Sequence, residues 1–295
     1  MVLKLGVSVF LRADSSFEQF QLQGTSTYLI GTGRSRILID SGEGVPIWLE
    51  NLAQVLETNG LEISHVLLTH WHGDHTGGVP QLIERYPALT TSIYKHTPDK
   101  GQRPIYDGQV FSVEGATIRA LLTPGHSIDH MCFVLEEENA LFTGDNVLGH
   151  GFTVVEDLGV FMASLEKMRA RNCAKGYPAH GVVIDDLPTK ISLYAGRYLR
   201  RERQVVATLK RHRSTTQKGN GSGGFGGRSR LGSLTVKELV SQLYGNVSDE
   251  ISEAALQPSI DETLAKLAED GKVGFELDLA AWSHFPCKRW FVLAH

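Results

Sequence analysis

Apolar positions change period along the chain. Through the first two-thirds, "TSTYLIGTG", "SRILIDSG", "ISHVLLTH", "ATIRALLTPGH" and "NALFTGDN" are short apolar blocks. Each predicts a strand of about four to six residues that runs out into a glycine-containing loop. Between them the period lengthens. Ile47, Leu49, Leu52, Val55 and Leu56 in "GVPIWLENLAQVLETNG" fall on about one helical face, as do Val160, Phe161, Leu165 and Met168 in "DLGVFMASLEKMRA". Strands first, then strands mixed with helices, predict an α/β fold in which helices cover sheets from outside.

Beyond the "YPAHG" block the pattern becomes helical. Tyr194, Tyr198, Val205 and Leu209 predict one long helix from Ile191 to Arg213. Its other faces carry Arg197, Arg200, Arg201, Arg203, Lys210, Arg211 and Arg213. Residues 214–233, "STTQKGNGSGGFGGRSRLGS", have few apolar side chains to bury and predict a mobile Gly/Ser-rich loop. "TVKE" at Thr235 to Glu238 is a capping box opening a helix that stops at Gly245. A second helix around Leu264 and Leu267 ends at Gly271, and "KVGFEL" and "KRWFVL" read as a terminal hairpin. The chain therefore divides into a domain over residues 1–190 and a smaller, winged-helix-like one over 191–295.

Composition narrows the class. The 295 residues are 41% hydrophobic, so a sizeable core can form. A formal net charge of −4 gives the whole molecule no bias toward nucleic acid or anionic membrane. Residues 234–295 hold five Lys/Arg against ten Asp/Glu, the wrong balance for a winged helix that grips phosphates. Three scattered cysteines point to reduced thiols, no block approaches the roughly 20 apolar residues of a membrane helix, and "MVLKLGVSVFLRADSS" reads as a strand rather than a signal peptide. A cytoplasmic location is the expectation.

The chemistry lies in "THWHGDHTGG", where three histidines and an aspartate occupy His70 to His75. A predicted strand precedes the stretch and a helix start follows it, so a single loop aims all four side chains. His70 and His72 can reach one cation; Asp74 and His75, beyond the turn at Gly73, can reach a second. Imidazole with carboxylate suits Zn²⁺, with Fe or Mn as alternatives. Four donors do not saturate two ions. His126 in "TPGH", Asp145 in "FTGD" and His180 in "YPAHG" each follow an apolar run beside a glycine and complete the set. Asp145, with two oxygens, can bridge. A lone histidine is more often a satisfied polar residue than a ligand, and the other seven histidines, His130 among them, are read so.

"THWHGDH", "TPGH", "TGD" and "YPAHG" in that order resemble the ligand pattern of the metallo-β-lactamase superfamily. The resemblance implies an αββα sandwich with a two-metal site at one edge of its sheets. It places His70, His72 and His126 on the first metal, Asp74, His75 and His180 on the second, and Asp145 between them. It also makes Asp40 of "ILIDSG" a support behind the ligands. Zinc β-lactamases usually carry cysteine at the place of Asp145 and often lack the second histidine of the "DH" pair, so antibiotic hydrolysis is not expected. Gly73 and Ala179 also depart from the common pattern, though neither supplies a donor. Most of the chain further resembles the β-lactamase-like protein 2 branch. Within that branch, "SVFLRADSSFEQFQLQG" and "FTGDNVLGHGFTVVEDL" are most similar to fungal polyketide thioesterases. These work beside non-reducing polyketide synthases, hydrolysing an acyl carrier protein thioester, with atrochrysone carboxylic acid the usual product.

The implied reaction is thioester hydrolysis by a hydroxide held between two metals, with Asp74 as catalytic group and the carrier protein domain as partner. A thiolate of pKa near 8.5 departs with little acid help, so Asp74 and His130 are the only candidates for that role. The alternative is an endoribonuclease acting on single-stranded RNA, since two metals also suit phosphodiester cleavage. The acidic C-terminal unit argues against it. The Arg-rich helix pulls the other way; its bland reading is a solvated helix face, and a third is a patch for an acidic carrier protein, which fits the thioesterase.

Overall fold

The computed structural model describes residues 5–7, 24–219, 232–278 and 287–293. It comprises two compact units, Met1–Tyr194 and Ala195–His295.

The first unit holds two sheets. Strands β1 (Leu5–Val7), β2 (Thr27–Ile30), β3 (Ser35–Ile39), β4 (Glu62–Leu67), β5 (Ile93–Lys95) and β6 (Arg103–Pro104) lie side by side in chain order. β1–β2–β3 pair antiparallel and β3–β4–β5–β6 parallel. The second sheet takes the order β11 (Lys175–Pro178), β10 (Ala140–Gly144), β9 (Met131–Leu135), β8 (Ala116–Leu122), β7 (Val110–Val113). Only its β10–β11 pair is parallel.

Alternation along each strand explains the layers. Ile37 and Ile39 of β3 join Phe133, Phe142 and Tyr177 in the core between the sheets. Leu38, one residue out of phase, joins Trp48, Leu52 and Leu56 of helix α1 (Pro46–Asn59) and Leu82 of a later helix on the outer face. After β4 the loop holds one turn of helix, α2 (Gly73–Thr76), followed by α3 (Val79–Arg85). Helix α4 (Leu158–Ala170) is tied to the end of β8: Ser164 Oγ donates to Pro124 O at 2.6 Å and Lys167 Nζ to Leu122 O at 2.9 Å. The αββα sandwich expected from the motifs is thus present.

Two helical faces are rotated from the expectation. Trp48, not Ile47, is the buried anchor of α1, and its indole Nε1 donates to Thr27 Oγ1 at 3.0 Å on the sheet face that the helix covers. On α4 Val160 is exposed while Leu158 and Ser164 are buried with Phe161, Leu165 and Met168.

Helix α5 (Leu187–Gly219) is longer than expected at both ends. Asp186 Oδ1 accepts Thr189 N–H at 3.1 Å, an N-terminal cap in "DDLPT" that apolar spacing does not reveal. At the other end, 214–219 of the expected loop are helical; 220–231 lie outside the described residues.

The second unit takes Val205 and Leu209 of α5 into a core with Leu239, Val240, Ile260, Leu264, Leu267, Val273 and Trp290. These come from α6 (Val236–Tyr244), α8 (Gln257–Glu269) and the hairpin β12 (Val273–Asp278)–β13 (Cys287–Val292); α7 (Asp249–Ile251) precedes a π-helical turn at Ser252–Leu256. The capping box at α6 is formed: Glu238 N–H donates to Thr235 Oγ1 at 3.1 Å and Thr235 N–H to Glu238 Oε2 at 2.7 Å. At the C-terminal edge of the expected loop, Ser233 is buried, donates to Glu276 Oε1 at 2.6 Å, and its carbonyl accepts from Arg289 at 2.9 Å. Among the described residues no helix is long and apolar enough to cross a membrane.

A candidate dinuclear metal centre

The loops after β3, β4, β8, β10 and β11 converge at one edge of the sandwich. The β4 loop is clamped against the β3 loop: Ser41 N–H and Oγ–H both donate to His75 O, at 2.8 and 2.9 Å, and Gly78 N–H donates to Gly42 O at 3.1 Å. A side chain at Gly77 or Gly78 would drive into the backbone of Glu43 or Ser41, so this approach requires glycine at both.

All seven expected donors are brought together, in two groups. One is His70, His72, His126 and Asp145; the other is Asp74, His75 and His180. In the first, His70 Nε2 lies 2.8 Å from His72 Nδ1, and His126 Nε2 lies 3.2 and 3.1 Å from those two atoms. Tetrahedral ligands about 2.0–2.1 Å from a zinc ion would sit about 3.3 Å apart. In the second, Asp74 Oδ2 lies 3.2 Å from both His75 Nε2 and His180 Nε2. Asp145 faces both groups with different oxygens. Its Oδ1 is 3.2 Å from His180 Nε2 and 3.5 Å from His75 Nε2, and its Oδ2 is 3.6 Å from His126 Nε2.

Residues behind the donors fix which ring nitrogen faces inward. His75 Nδ1 lies 2.9 Å from Asp40 Oδ2, His126 Nδ1 2.8 Å from Val154 O, and His180 Nδ1 3.1 Å from Gly24 O. Each acceptor draws the proton to Nδ1 and leaves an Nε2 lone pair for a cation. Asp40, at φ 58°, also accepts Thr69 N–H at 2.8 Å and Thr69 Oγ1–H. It therefore supports the site as expected. Thr25, which carries no sequence signal, donates Oγ1–H to Asp74 Oδ2 at 3.1 Å.

His130 corrects one expectation. It is fully buried, its Nε2 accepts Asp145 N–H at 3.0 Å, and its Nδ1 lies 3.2 Å from Thr123 Oγ1. Burial, with His126 nearby, holds its pKa well below the ordinary value. It is a neutral prop for the Asp145 backbone, neither incidental nor an acid. Gly144 must be glycine there: at φ 49°, a Cβ would lie 2.5 Å from His130 Nε2.

Electrostatics suit a polycation. Burial opposes ionisation of Asp145, but His75 and His180 hold it well below the carboxylate range. Asp74 is likewise held low against its burial by His180 and His75. Burial also opposes charge on His180 and His75. At His180 the two carboxylates outweigh it and raise the pKa to about 10; at His75, Asp145 and Asp40 raise it well above the ordinary value. His70 is pushed well below its ordinary value by burial and by His75 and His130. Beyond these imidazole–carboxylate contacts, buried His75 Nε2 and Asp145 Oδ1 make no well-directed hydrogen bond, an arrangement costly to keep unless something else engages both. This donor set fits divalent metal ions.

A family model described as the metallo-beta-lactamase superfamily matches residues 21–180, and one described as a beta-lactamase associated winged helix domain matches 235–282. The chain belongs to the metallo-beta-lactamase superfamily. Within that superfamily it is 58% identical over 275 residues to the lactamase-like protein adaB of Aspergillus niger, covering 93% of this chain and 83% of that one. It is 55% identical over 276 residues to an atrochrysone carboxyl ACP thioesterase of Aspergillus chevalieri, covering 94% and 84%. Among solved structures, a superfamily protein of Thermus thermophilus superposes with a TM-score of 0.60 at 23% identity, covering 93% of this chain and 96% of that one. A beta-lactamase domain protein from Burkholderia ambifaria superposes with 0.69 at 16% identity, covering 93% and 89%. These two share the fold.

Proposed function

We propose that this chain is a two-metal thioesterase that releases a polyketide acyl group from an acyl carrier protein. The observation that carries this reading is the 55% identity, over nearly the whole chain, to a protein named atrochrysone carboxyl ACP thioesterase. His70, His72, His126 and Asp145 would hold one ion; Asp74, His75, His180 and the other Asp145 oxygen would hold the second. Five imidazoles and two carboxylates favour zinc over harder ions. Bound there, two divalent ions would supply Lewis acidity and a nucleophilic water at neutral pH.

The chain's own residues do the rest. Asp74 has the most open carboxylate of the site, 31% exposed against 11% for Asp145, and its low pKa keeps it ionised. Ionised, it can accept a hydrogen bond from the attacking water and orient it, while Thr25 holds its Oδ2 in place. The thiolate leaving group needs no protonation for departure, which suits a site whose other carboxylate and imidazoles are committed to metal. Cys132, Cys173 and Cys287 are free thiols, in keeping with a reducing, cytoplasmic setting.

The partner reading rests on α5. Arg197, Arg200, Arg203, Lys210 and Arg211 are exposed and fall within about 140° of the helix circumference. Glu202, the one acid between Ala195 and Arg213, is buried and paired with Lys266 at 3.0 Å. Arg201 and Arg213, expected in the same patch, instead donate to Ser259 O and Val292 O. The remaining stripe is a cationic surface for an acidic carrier protein.

The test is product release from an acyl-loaded carrier protein by the metal-loaded chain, run beside cleavage of single-stranded RNA. Hydrolysis of the thioester with intact RNA is expected; RNA cleavage with an inert thioester would overturn the reading.

A further inference from the structure

Four loops carry the seven expected donors, and each presents a large apolar side chain to solvent; the loop after β10 also has Phe152, 40% exposed. Trp71, between His70 and His72, is 51% exposed; Ile128, two residues after His126, is 80% exposed. Val154, which follows Asp145 in the chain, is 68% exposed, and Val182, two residues after His180, is 70% exposed. Solvated loops seldom hold bulky apolar groups at every turn around a polar centre without a ligand to cover them.

Each is pinned beside the donors. The Trp71 ring packs edge-on against His72, with centroids 4.4 Å apart. The Val154 carbonyl accepts from His126 Nδ1 at 2.8 Å. Ile128 sits inside a turn closed by Gly125 N–H to Ser127 O at 3.0 Å and by Ser127 Oγ–H to Asp129 Oδ1 at 2.9 Å. Val182 follows His180, whose carbonyl accepts Gly149 N–H at 2.8 Å, and a side chain at Gly149 would collide with the Val182 backbone. Backbones held this way keep the four side chains at the border of the metal centre.

We propose that Trp71, Ile128, Val154 and Val182 form an apolar collar that receives the acyl part of the substrate and selects a large aromatic acyl group over a small one. The inference rests on the thioesterase reading and specifies its substrate class. The acyl group is the occupant because a carrier's prosthetic arm is amide-rich and a carrier surface is acidic. Neither chemistry matches four hydrocarbon side chains, one of them an indole that can stack on a ring.

The experiment uses the full metal-loaded chain with acetyl and 2-naphthoyl thioesters of one small thiol. Ile128→Ser and Val182→Ser should each lower the naphthoyl-over-acetyl ratio of kcat/KM about tenfold, the scale of a lost apolar pocket contact. An unchanged ratio overturns the collar. So does a loss seen only with carrier-bound thioester, which would make these residues a protein contact. Binding of free 2-naphthoate, read by equilibrium dialysis, separates the two claims. If the wild type hydrolyses neither thioester, the thioesterase reading fails. The naphthoate Kd then decides the collar alone: about tenfold weaker in the variants keeps it, and equal values remove it.

Discussion

Replacing Asp40 by Asn changes one atom of a buried side chain and should disable one of the two proposed metal sites. Asp40 Oδ1 accepts Thr69 N–H at 2.8 Å and Oδ2 accepts His75 Nδ1–H at 2.9 Å. In the variant, the amide oxygen can still serve Thr69. The amide nitrogen, however, faces His75 Nδ1 with a hydrogen, so Nδ1 must become the acceptor and the ring proton must move to Nε2. That nitrogen is the one facing Asp74 and Asp145, 3.2 and 3.5 Å away. A protonated Nε2 cannot donate a lone pair, so the Asp74–His75–His180 group loses one of its imidazoles. Loss of such a supporting partner weakens metal binding by about 10- to 100-fold, roughly 1.4–2.8 kcal/mol. The fold should survive, since Asn tolerates the φ of 58° at this position and Thr69 keeps its acceptor. In the metal-free protein the variant also removes a buried carboxylate that helps keep His75 charged, so its Tm should fall there as well. Competition with a chromophoric chelator resolves the two sites. One site should keep its wild-type Kd while the other weakens at least tenfold. Two sites both within threefold of wild type, or both weakened equally, would refute the tautomer argument.

Asp74→Ala should lower thioester turnover at least about 100-fold, the scale of a misplaced reactant; turnover within threefold of wild type would remove its role. In the metal-free protein His180 is raised from 6.5 to about 10, so its ion pairs with Asp145 and Asp74 contribute fully below pH 6.5 and are lost as pH rises through about 10. Chelated wild type should therefore lose Tm across that window relative to His180→Gln, and metal uptake near pH 7 should release protons measurable in a weakly buffered titration. Reversing Arg200, Arg203 and Lys210 to Glu should raise KM for carrier-bound thioester about tenfold or more at low salt, with the gap closing as salt rises, and leave a small free thioester unaffected. Equal losses on both substrates would make the stripe structural.

The seven side chains that cluster at the site were legible in the chain because each belongs to a short-range pattern. An apolar run buries a strand, a glycine ends it, and a histidine or aspartate beside that glycine emerges at the sheet edge. Four such edges meeting at one end of a sandwich bring these side chains together, whatever the connecting segments contain. Thr235 and Glu238 were legible for the same reason, since a capping box closes within one helical turn. Other features depend on atoms distant in sequence. The inward-facing lone pairs of His126 and His180 are set by the carbonyls of Val154 and Gly24, and a backbone oxygen is the same on every residue. His130 became a prop, rather than a spare histidine, only when β10 brought the Asp145 amide to its Nε2. Arg201 and Arg213 left the cationic stripe because Ser259 and Val292 lie within reach in the fold. Trp48 displaced Ile47 where Thr27, distant in sequence, meets its indole N–H on the covered face of the sheet. Composition and spacing along the chain determined which groups could do chemistry; the packing of loops onto one another decided each group's tautomer, charge and partner.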